Sequence, residues 1–236
     1  MKTTRVYDLP TRAFHWLFAT GFLGAFLIAK ILDDESVYYP YHMLLGLILV
    51  LAVTLRIVWG LVGSRYARFS SFALKPTQLI QYFKNLLSAK TESRLGHNPA
   101  SSWAALTMMG LALGLAITGY LMTVDINKEV VEEVHELLAN AFILVAIAHV
   151  SGVLLHTLRH RDWIALSMIR GSKKSIEGET GIERSHWGTA LAFVLIVGGF
   201  VFFLSKNYDS GEQALNVFGS TLQLGEHEDE DHDHGE

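Results

Sequence analysis

Five long apolar blocks constrain the fold of this chain more than any other feature of its sequence. They lie near 13–32, 41–62, 102–123, 137–158 and 186–205 of a 236-residue chain that is 50% hydrophobic and 18% charged. About 20 apolar residues in helical form cross the hydrocarbon core of a bilayer, where backbone groups must be satisfied internally. The sequence therefore predicts an all-α transmembrane helical bundle, in which the first block is a retained helix rather than a cleaved signal peptide.

Lysine and arginine residues are distributed very unevenly between the two sides of the predicted bundle. Sixteen of the nineteen fall before the first span, near the end of the second span (Arg56) or in the second and fourth connections, and the exceptions are Lys30, Lys128 and Lys206. Cytoplasmic loops of membrane proteins carry an excess of these residues. We therefore expect a cytoplasmic amino terminus and, after five spans, a periplasmic carboxyl terminus. The net charge of −4 gives no indication of a nucleic-acid partner.

Four of the eleven histidines lie inside or at the rim of the apolar blocks, namely His15, His42, His135 and His149. An imidazole is costly in a bilayer, so a histidine within a span usually has a function. His135 and His149 are fourteen residues apart on one predicted helix, which places them roughly 21 Å apart on nearly the same face. A lone histidine of this kind more often bonds two helices together than it ligates a metal. Four histidines at two depths favour two stacked b-type haems, each held by two imidazoles.

The predicted depth of each histidine indicates which two would share a haem. His42 and His135 both begin helices that enter from the outer side, so we call them the outer pair. His15 lies near the inner end of the first helix and His149 toward the inner half of the fourth, so they form the inner pair. His156 lies on nearly the same face as His149 and closer in depth to His15, which makes it the alternative ligand.

Several further features agree with a haem that is held without a covalent link. The chain has no cysteine, which excludes disulfides, cysteine-bound iron–sulfur clusters and c-type haem attachment. Gly46, one turn after His42, would let a flat macrocycle approach the helix, although ordinary helix packing explains a glycine equally well. Arg12 and Arg56, at the inner rim, could bind haem propionates or could serve only to set the topology.

The connections between the spans carry weaker signals. From Pro76, apolar residues at helical spacing are flanked by lysines, which is typical of an amphipathic helix lying either on the inner leaflet or on the protein itself. Residues 172–185 are polar and are interpreted as a cytoplasmic linker. Residues 207–236 are expected to be weakly structured, and they end in an acidic run with three histidines that could bind a divalent metal weakly.

Residues 6–12 (VYDLPTR), which run into Phe14-His15-Trp16, resemble the opening of the bacterial cytochrome b561 family, which includes b-type cytochrome subunits of nickel–iron hydrogenases. The similarity covers about residues 5–171 and continues through 42–46 (HMLLG), 56–66 (RIVWGLVGSRY), 96–99 (GHNP), 134–136 (VHE) and 148–150 (AHV). The resemblance implies a four-helix core with two haem b groups and His15, His42, His135 and His149 as axial ligands. It leaves the role of His97 open between a structural cap and a contact near a quinone.

These observations predict a four-helix dihaem core over 1–171, a linker over 172–185, a fifth transmembrane helix over 186–206 and a periplasmic tail over 207–236. We expect an inner-membrane electron carrier between the quinone pool and a periplasmic partner, either a cytochrome c or a hydrogenase electron-transfer subunit. It would act alone or within a quinone-linked oxidoreductase, and two copies could form a homodimer. The alternative function is that of a divalent-metal carrier or sensor that uses the membrane histidines and the acidic tail.

Overall fold

A computed structural model describes residues 2–87, 95–160, 164–217 and 219–225. Its described residues form seven α-helices: α1 (Leu9–Ile31), α2 (Pro40–Val62), α3 (Pro76–Leu87), α4 (Pro99–Thr123), α5 (Lys128–His160), α6 (Ser167–Arg170) and α7 (Trp187–Asn207). All except α3 and α6 are long and apolar enough to cross a membrane, and few of their side chains are buried within the protein. The predicted transmembrane helical bundle is confirmed.

The fourth span extends well beyond the apolar block that predicted it. α5 begins at Lys128, whereas the apolar block begins near 137. The turns from Glu129 to Glu136 are helical, but they are too polar for hydropathy to indicate a span there. α5 has 33 residues. At 1.5 Å per residue it measures about 50 Å, whereas the hydrocarbon core is about 30 Å thick. The first turns of α5 therefore project beyond the apolar layer.

Asp8 fixes the start of α1 and joins it to α2. One oxygen of its carboxylate accepts a hydrogen bond from the Thr11 backbone N–H at 2.9 Å, which satisfies a donor that has no partner within the helix. The other oxygen accepts hydrogen bonds from Trp59 Nε1 at 3.1 Å and from Ser64 Oγ at 2.5 Å. Because Asp8 is fully buried, these bonds replace the water that its charge would otherwise require.

The bundle consists of two helix hairpins and one added helix. α1 packs along α2, α4 packs along α5, α2 joins the hairpins, and α7 packs on α1 and α2. At the centre, Phe18 and Phe22 of α1 meet Phe142 of α5, and the stacked rings of Phe22 and Phe142 have centroids 3.6 Å apart. Lipid tails are as apolar as this core, so close packing rather than removal from water holds such helices together.

The connections collect at the two ends of the bundle. The basic end carries residues 2–8, 63–87, 95–98 and 164–186, and the acidic end carries residues 32–39, 124–127 and 208–225. At the basic end, strand β1 (Thr3–Arg5) pairs antiparallel with strand β2 (Ser172–Lys174). The two strands tie the amino terminus to the segment that follows α6.

Residues 172–185, expected to be a polar linker, are packed against the rest of the basic end. Besides β2, they contribute Ile176 and Ile182 to a cluster whose buried members are Val6, Tyr7, Tyr66 and Leu95. The isoleucines are isolated within a polar stretch, so no periodic pattern predicts that they pack.

Residues 208–217 and 219–225, expected to be weakly structured, form a small antiparallel sheet at the acidic end. Its strands are β3 (Tyr208–Asp209), β4 (Ala214–Val217) and β5 (Ser220–Gln223), in that order. Leu215 and Leu224 pack on Leu44 of α2 and Leu204 of α7, which closes this end of the bundle. The acidic histidine run at 226–236 lies outside the described residues.

Candidate functional site

His42 of α2 and His135 of α5 face each other across the bundle near its acidic end. Their ring centroids are 6.1 Å apart, and the ring planes are inclined by 67°. A bond between a metal and an imidazole nitrogen is about 2 Å long, so two imidazoles on opposite sides of one metal have centroids about 6 Å apart. The outer pair predicted from the sequence is therefore brought together at a spacing that suits a shared metal centre.

Hydrogen bonds hold both rings of the outer pair in one orientation. His42 Nδ1 lies 2.8 Å from the backbone oxygen of Ala25, and because a carbonyl can only accept, Nδ1 carries the proton. His135 Nδ1 lies 2.8 Å from the hydroxyl of Thr118.

The hydroxyl of Thr118 also has a defined direction. Its oxygen lies 3.0 Å from the backbone oxygen of Gly114 and 3.1 Å from that of Leu115. When its single hydrogen is donated to these carbonyls, the hydroxyl oxygen accepts the proton of His135 Nδ1. Both histidines are therefore protonated on Nδ1, which leaves both Nε2 atoms as free electron-pair donors. Metal-binding histidines are usually oriented by this kind of second hydrogen bond.

His15 of α1 and His149 of α5 lie nearer the basic end and are both half-buried. They are close enough for their charges to interact. In the part of the chain that the structure describes, neither a hydrogen bond nor a ring contact joins them. The two rings are therefore not in contact, unlike the rings of the outer pair. His156, the alternative ligand, is buried two helical turns farther along α5.

Phe142 occupies the midpoint between the two pairs. It lies seven residues after His135 and seven before His149, which puts all three on nearly one face of α5. Its ring is only 3% exposed and contacts Phe22 and Phe18 across the bundle. An aromatic layer thus separates the outer pair from the inner pair.

Open space adjoins the helices beside both pairs. A methyl group added at Gly46 or at Gly152 would meet no atom within 4 Å. Gly46 lies one turn after His42, and Gly152 lies three residues after His149. Gly110, Gly188, Gly198 and Gly199 of the spans have equally open surroundings, so the room at Gly46 and Gly152 is compatible with a flat ligand and equally with lipid.

Arg56 is a buried cation with unused hydrogen-bonding capacity. Its side chain is 5% exposed, and Nη2 donates to the Ala67 backbone oxygen at 2.9 Å. Its guanidinium carbon lies 5.1 Å from the ring centroid of Phe69 and 6.0 Å from that of Phe14. Nη1 is buried and has no partner among the described residues. A buried unpaired donor is costly, so this position suits an anionic group that the protein itself does not supply.

Arg12 has one structural hydrogen bond and one buried donor atom without a partner among the described residues. Its Nη2 donates to the Ile169 backbone oxygen of α6, which attaches α6 to α1. Its Nε is buried and finds no partner in the described residues. The interpretations of Arg12 as a topological charge and as a ligand contact therefore both remain compatible with its surroundings.

His97 lies in an aromatic pocket at the basic end. Its ring centroid is 5.3 Å from that of Tyr7 and 4.7 Å from that of Phe72. Burial, assisted by the charges of Lys173 and Arg56, lowers the pKa of His97 to about 3, so the ring is neutral. Its Nδ1 is buried without a hydrogen-bond partner in the described part of the chain.

The adjoining residue, Asn98, performs the capping role that the sequence left open for His97. Its side-chain oxygen accepts from the Ser101 backbone N–H at 2.7 Å at the start of α4. The inner pair lies toward the same end of the bundle as His97. The unpartnered nitrogen of His97 is thus available to a ligand at this level.

Sequence reasoning missed Thr118, Ala25 and Phe142 as parts of the site. Ala25 contributes a backbone oxygen, which no side-chain pattern can reveal. A threonine in a span usually bonds to its own helix, as Thr118 also does, so its second contact gives no separate signal. The seven-residue spacing from His135 to Phe142 to His149 is the one pattern that could have been found.

Comparison with known proteins gives a family match over most of the chain. The family model described as "Prokaryotic cytochrome b561" matches residues 6–171. A "Probable Ni/Fe-hydrogenase 1 B-type cytochrome subunit" of Escherichia coli (strain K12) is 24% identical over 138 residues, which are 49% of this chain. The match spans 58% of the length of that relative.

A second relative is covered more fully. The "Probable Ni/Fe-hydrogenase B-type cytochrome subunit" of Bradyrhizobium diazoefficiens is 21% identical over 215 residues, covering 73% of this chain and 86% of the relative. No solved structure matches the chain.

Proposed function

The chain belongs to the prokaryotic cytochrome b561 family, and from this premise we propose that two haem b groups carry electrons through it between quinone and a redox partner at the acidic end. Membership of this family implies haem b and electron transfer in a membrane. The haem supplies the one-electron redox chemistry, and the protein supplies ligation, orientation and an apolar surrounding.

The geometry of the outer pair carries this proposal. His42 and His135 belong to different helices, and their ring centroids are 6.1 Å apart, which is about the spacing that two imidazoles bound to one iron would have. Each Nδ1 proton is held by an acceptor, so neither ring can turn its donor nitrogen away. The open side of α2 at Gly46 gives a macrocycle access to this level.

The second haem is proposed at the inner pair, His15 and His149, with His156 as the alternative to His149. The unpaired Nη1 of Arg56 supports this proposal, because the anionic propionates of a haem would satisfy it. Arg12 is proposed as a second propionate contact through its unpaired Nε.

Quinone is proposed to exchange electrons near the inner pair, in contact with His97. The supporting observation is that this neutral ring has a buried nitrogen without a partner among the described residues, which can bond to a quinone oxygen. On the positive-inside rule the basic end faces the cytoplasm of a bacterial inner membrane, and the carboxyl terminus is periplasmic.

The redox partner is proposed to dock at the acidic end. Ten exposed carboxylates of the described residues lie there, against Lys30, Lys128 and Lys206: Asp33, Asp34, Glu35, Asp125, Glu129, Glu132, Glu133, Glu136, Asp209 and Glu212. A partner with a basic face would be attracted, and its association would slow as salt is added. A hydrogenase subunit, as the names of the relatives suggest, or a cytochrome c would provide such a partner.

A pyridine-haemochrome assay on the purified full-length chain tests the function, and we expect two haems per polypeptide. The variants His42→Ala and His15→Ala should each lose one haem and keep the other. A colourless protein from cells with ample haem would refute the proposal, and unchanged haem content in both variants would refute the ligand assignment. In the described residues no group of three or more metal-binding side chains is brought together, and the acidic histidine run on which the metal-carrier alternative relies lies outside those residues.

A further inference from the structure

Among the described residues, α3 is attached to the bundle along one edge. Leu86 is 7% exposed, and the hydroxyl of Tyr82 accepts a hydrogen bond from Asn98 Nδ2 at 3.3 Å. Asn98 also caps α4, so α3 is fastened directly to the start of a transmembrane span. This contact fixes the height of α3 at the basic end of the bundle.

The neighbouring edge of α3 is apolar and exposed. Ile80 is 55% exposed and Phe83 is 50% exposed, although both are large hydrophobic residues. At 100° per residue, Phe83 lies about 60° from Leu86 and Ile80 about 60° beyond Phe83, so these side chains extend the packed edge sideways. The exposed polar side chains of Thr77 and Gln81 lie on the remaining face.

The position of this edge identifies what covers it. α3 lies in the connection between α2, which ends at Val62, and α4, which begins at Pro99. Both helices are candidate membrane spans, so α3 lies at the level at which they leave the membrane. A helix fastened sideways to a span at this height has one free edge toward the bilayer and one toward water. Burying a side chain such as isoleucine or phenylalanine is worth roughly 1.5–3 kcal/mol, so the edge toward the bilayer is the one expected to be apolar.

We propose that α3 lies in the headgroup layer of the leaflet at the basic end, with Ile80 and Phe83 inserted at the boundary with the acyl chains. The exposed lysines Lys75 and Lys84 are then at the level of the lipid phosphates, which attract them. The sequence left α3 equally compatible with a helix on the leaflet and a helix packed on the protein. In the structure, the apolar edge at Leu86 packs on the protein, and the apolar edge at Ile80 and Phe83 stays exposed and available to lipid.

This arrangement also gives α3 a role in the bundle. Because Tyr82 accepts a hydrogen bond from Asn98, which adjoins His97, insertion of α3 would hold these two residues near the membrane surface. The proposal depends on the membrane embedding of the family and not on the number of haems.

The absence of cysteine from the chain allows a direct test by site-specific labelling. Ile80→Cys and Phe83→Cys are labelled with an environment-sensitive fluorophore, with Thr77→Cys and Gln81→Cys as matched controls on the same helix. Each full-length variant is reconstituted into vesicles of phosphatidylethanolamine and phosphatidylglycerol, and circular dichroism verifies that it retains the helical content of the parent.

Two quenchers then distinguish the environments. A nitroxide on the lipid acyl chain should quench the label at positions 80 and 83 but not at 77 and 81, and aqueous iodide should show the reverse. Iodide quenching at 80 and 83 equal to that at 77 and 81 would place this edge in water and overturn the proposal. Protection from both quenchers would show that protein, such as a second copy of the chain, covers the edge, and would overturn it as well.

Discussion

If the outer pair holds a haem, as proposed, replacing Thr118 by valine should weaken that site selectively. Valine has nearly the shape of threonine, so the change removes only the hydroxyl that accepts the proton of His135 Nδ1 at 2.8 Å. Thr118 is 8% exposed, so water cannot easily replace that acceptor. The variant therefore leaves a partly buried N–H donor unsatisfied and releases the orientation of the ring.

The change affects folding and haem binding separately. A buried donor that loses its partner costs the folded protein about 1–3 kcal/mol of stability, with or without haem. Loss of the hydrogen bond that orients a metal-binding histidine typically weakens metal affinity by about 10–100-fold, which is roughly 1.4–2.7 kcal/mol. From this second value we expect haem affinity at the outer site to fall by at least about tenfold while the inner site keeps its haem.

Haemin titration of the purified, haem-depleted protein would measure this change, and a redox titration would show whether the potential of only one haem moves. Thr123→Val is the matched control, because Thr123 lies on the same helix and its hydroxyl donates to the Gly119 backbone oxygen at 2.9 Å. Equal affinities in the two variants would refute the reasoning, because the loss would then come from the helix backbone and not from His135.

Other variants test the remaining contacts. Arg56→Gln should reduce haem retention at the inner site and spare the outer one, which haem content and absorption spectra would show; equal loss at both sites would contradict a propionate contact. Asp8→Ala removes three hydrogen bonds to a buried carboxylate and should lower the free energy of unfolding by about 3 kcal/mol, measured by denaturation in mixed micelles. The native pKa of His97, about 3, is below the ordinary value of about 6.5, so the unfolded chain binds more protons between these values and stability falls as the pH falls through that window. Between pH 7 and pH 5 this histidine accounts for up to about 2 kcal/mol of the loss of stability. His97→Gln should therefore make thermal stability decline less steeply over this range. An unchanged slope would show that His97 is not buried as a neutral ring.

The transmembrane part of the fold follows from the sequence because lipid imposes one strict requirement. A span needs about 20 apolar residues in a helix, and each of the five blocks meets it. The acidic turns of α5 carry no such requirement, so Glu129 and Glu133 gave no sign that they are helical. The strands at 208–225 are at most four residues long, too short for an alternating pattern to be recognised.

The sequence predicts the candidate site only through the depth of each histidine in the membrane, which follows from its position along its predicted span. Depth brings His42 and His135 to one level, and the structure places their rings in contact there. What orients the rings depends on tertiary contacts. The oxygen of Ala25 belongs to another helix, and the hydroxyl of Thr118 bonds both to two backbone oxygens of its own helix and across to His135 of α5.

The aromatic layer at Phe142 has a consequence for charge balance across the bilayer. Residues 16–24, 43–55, 104–122 and 137–148 contain no aspartate, glutamate, lysine, arginine or histidine. If both histidine levels hold a haem, an electron that passes between them crosses this layer without a side chain that could carry a proton beside it. Each turnover would then displace uncompensated negative charge along the membrane normal, so the membrane voltage would speed or slow the reaction according to its direction.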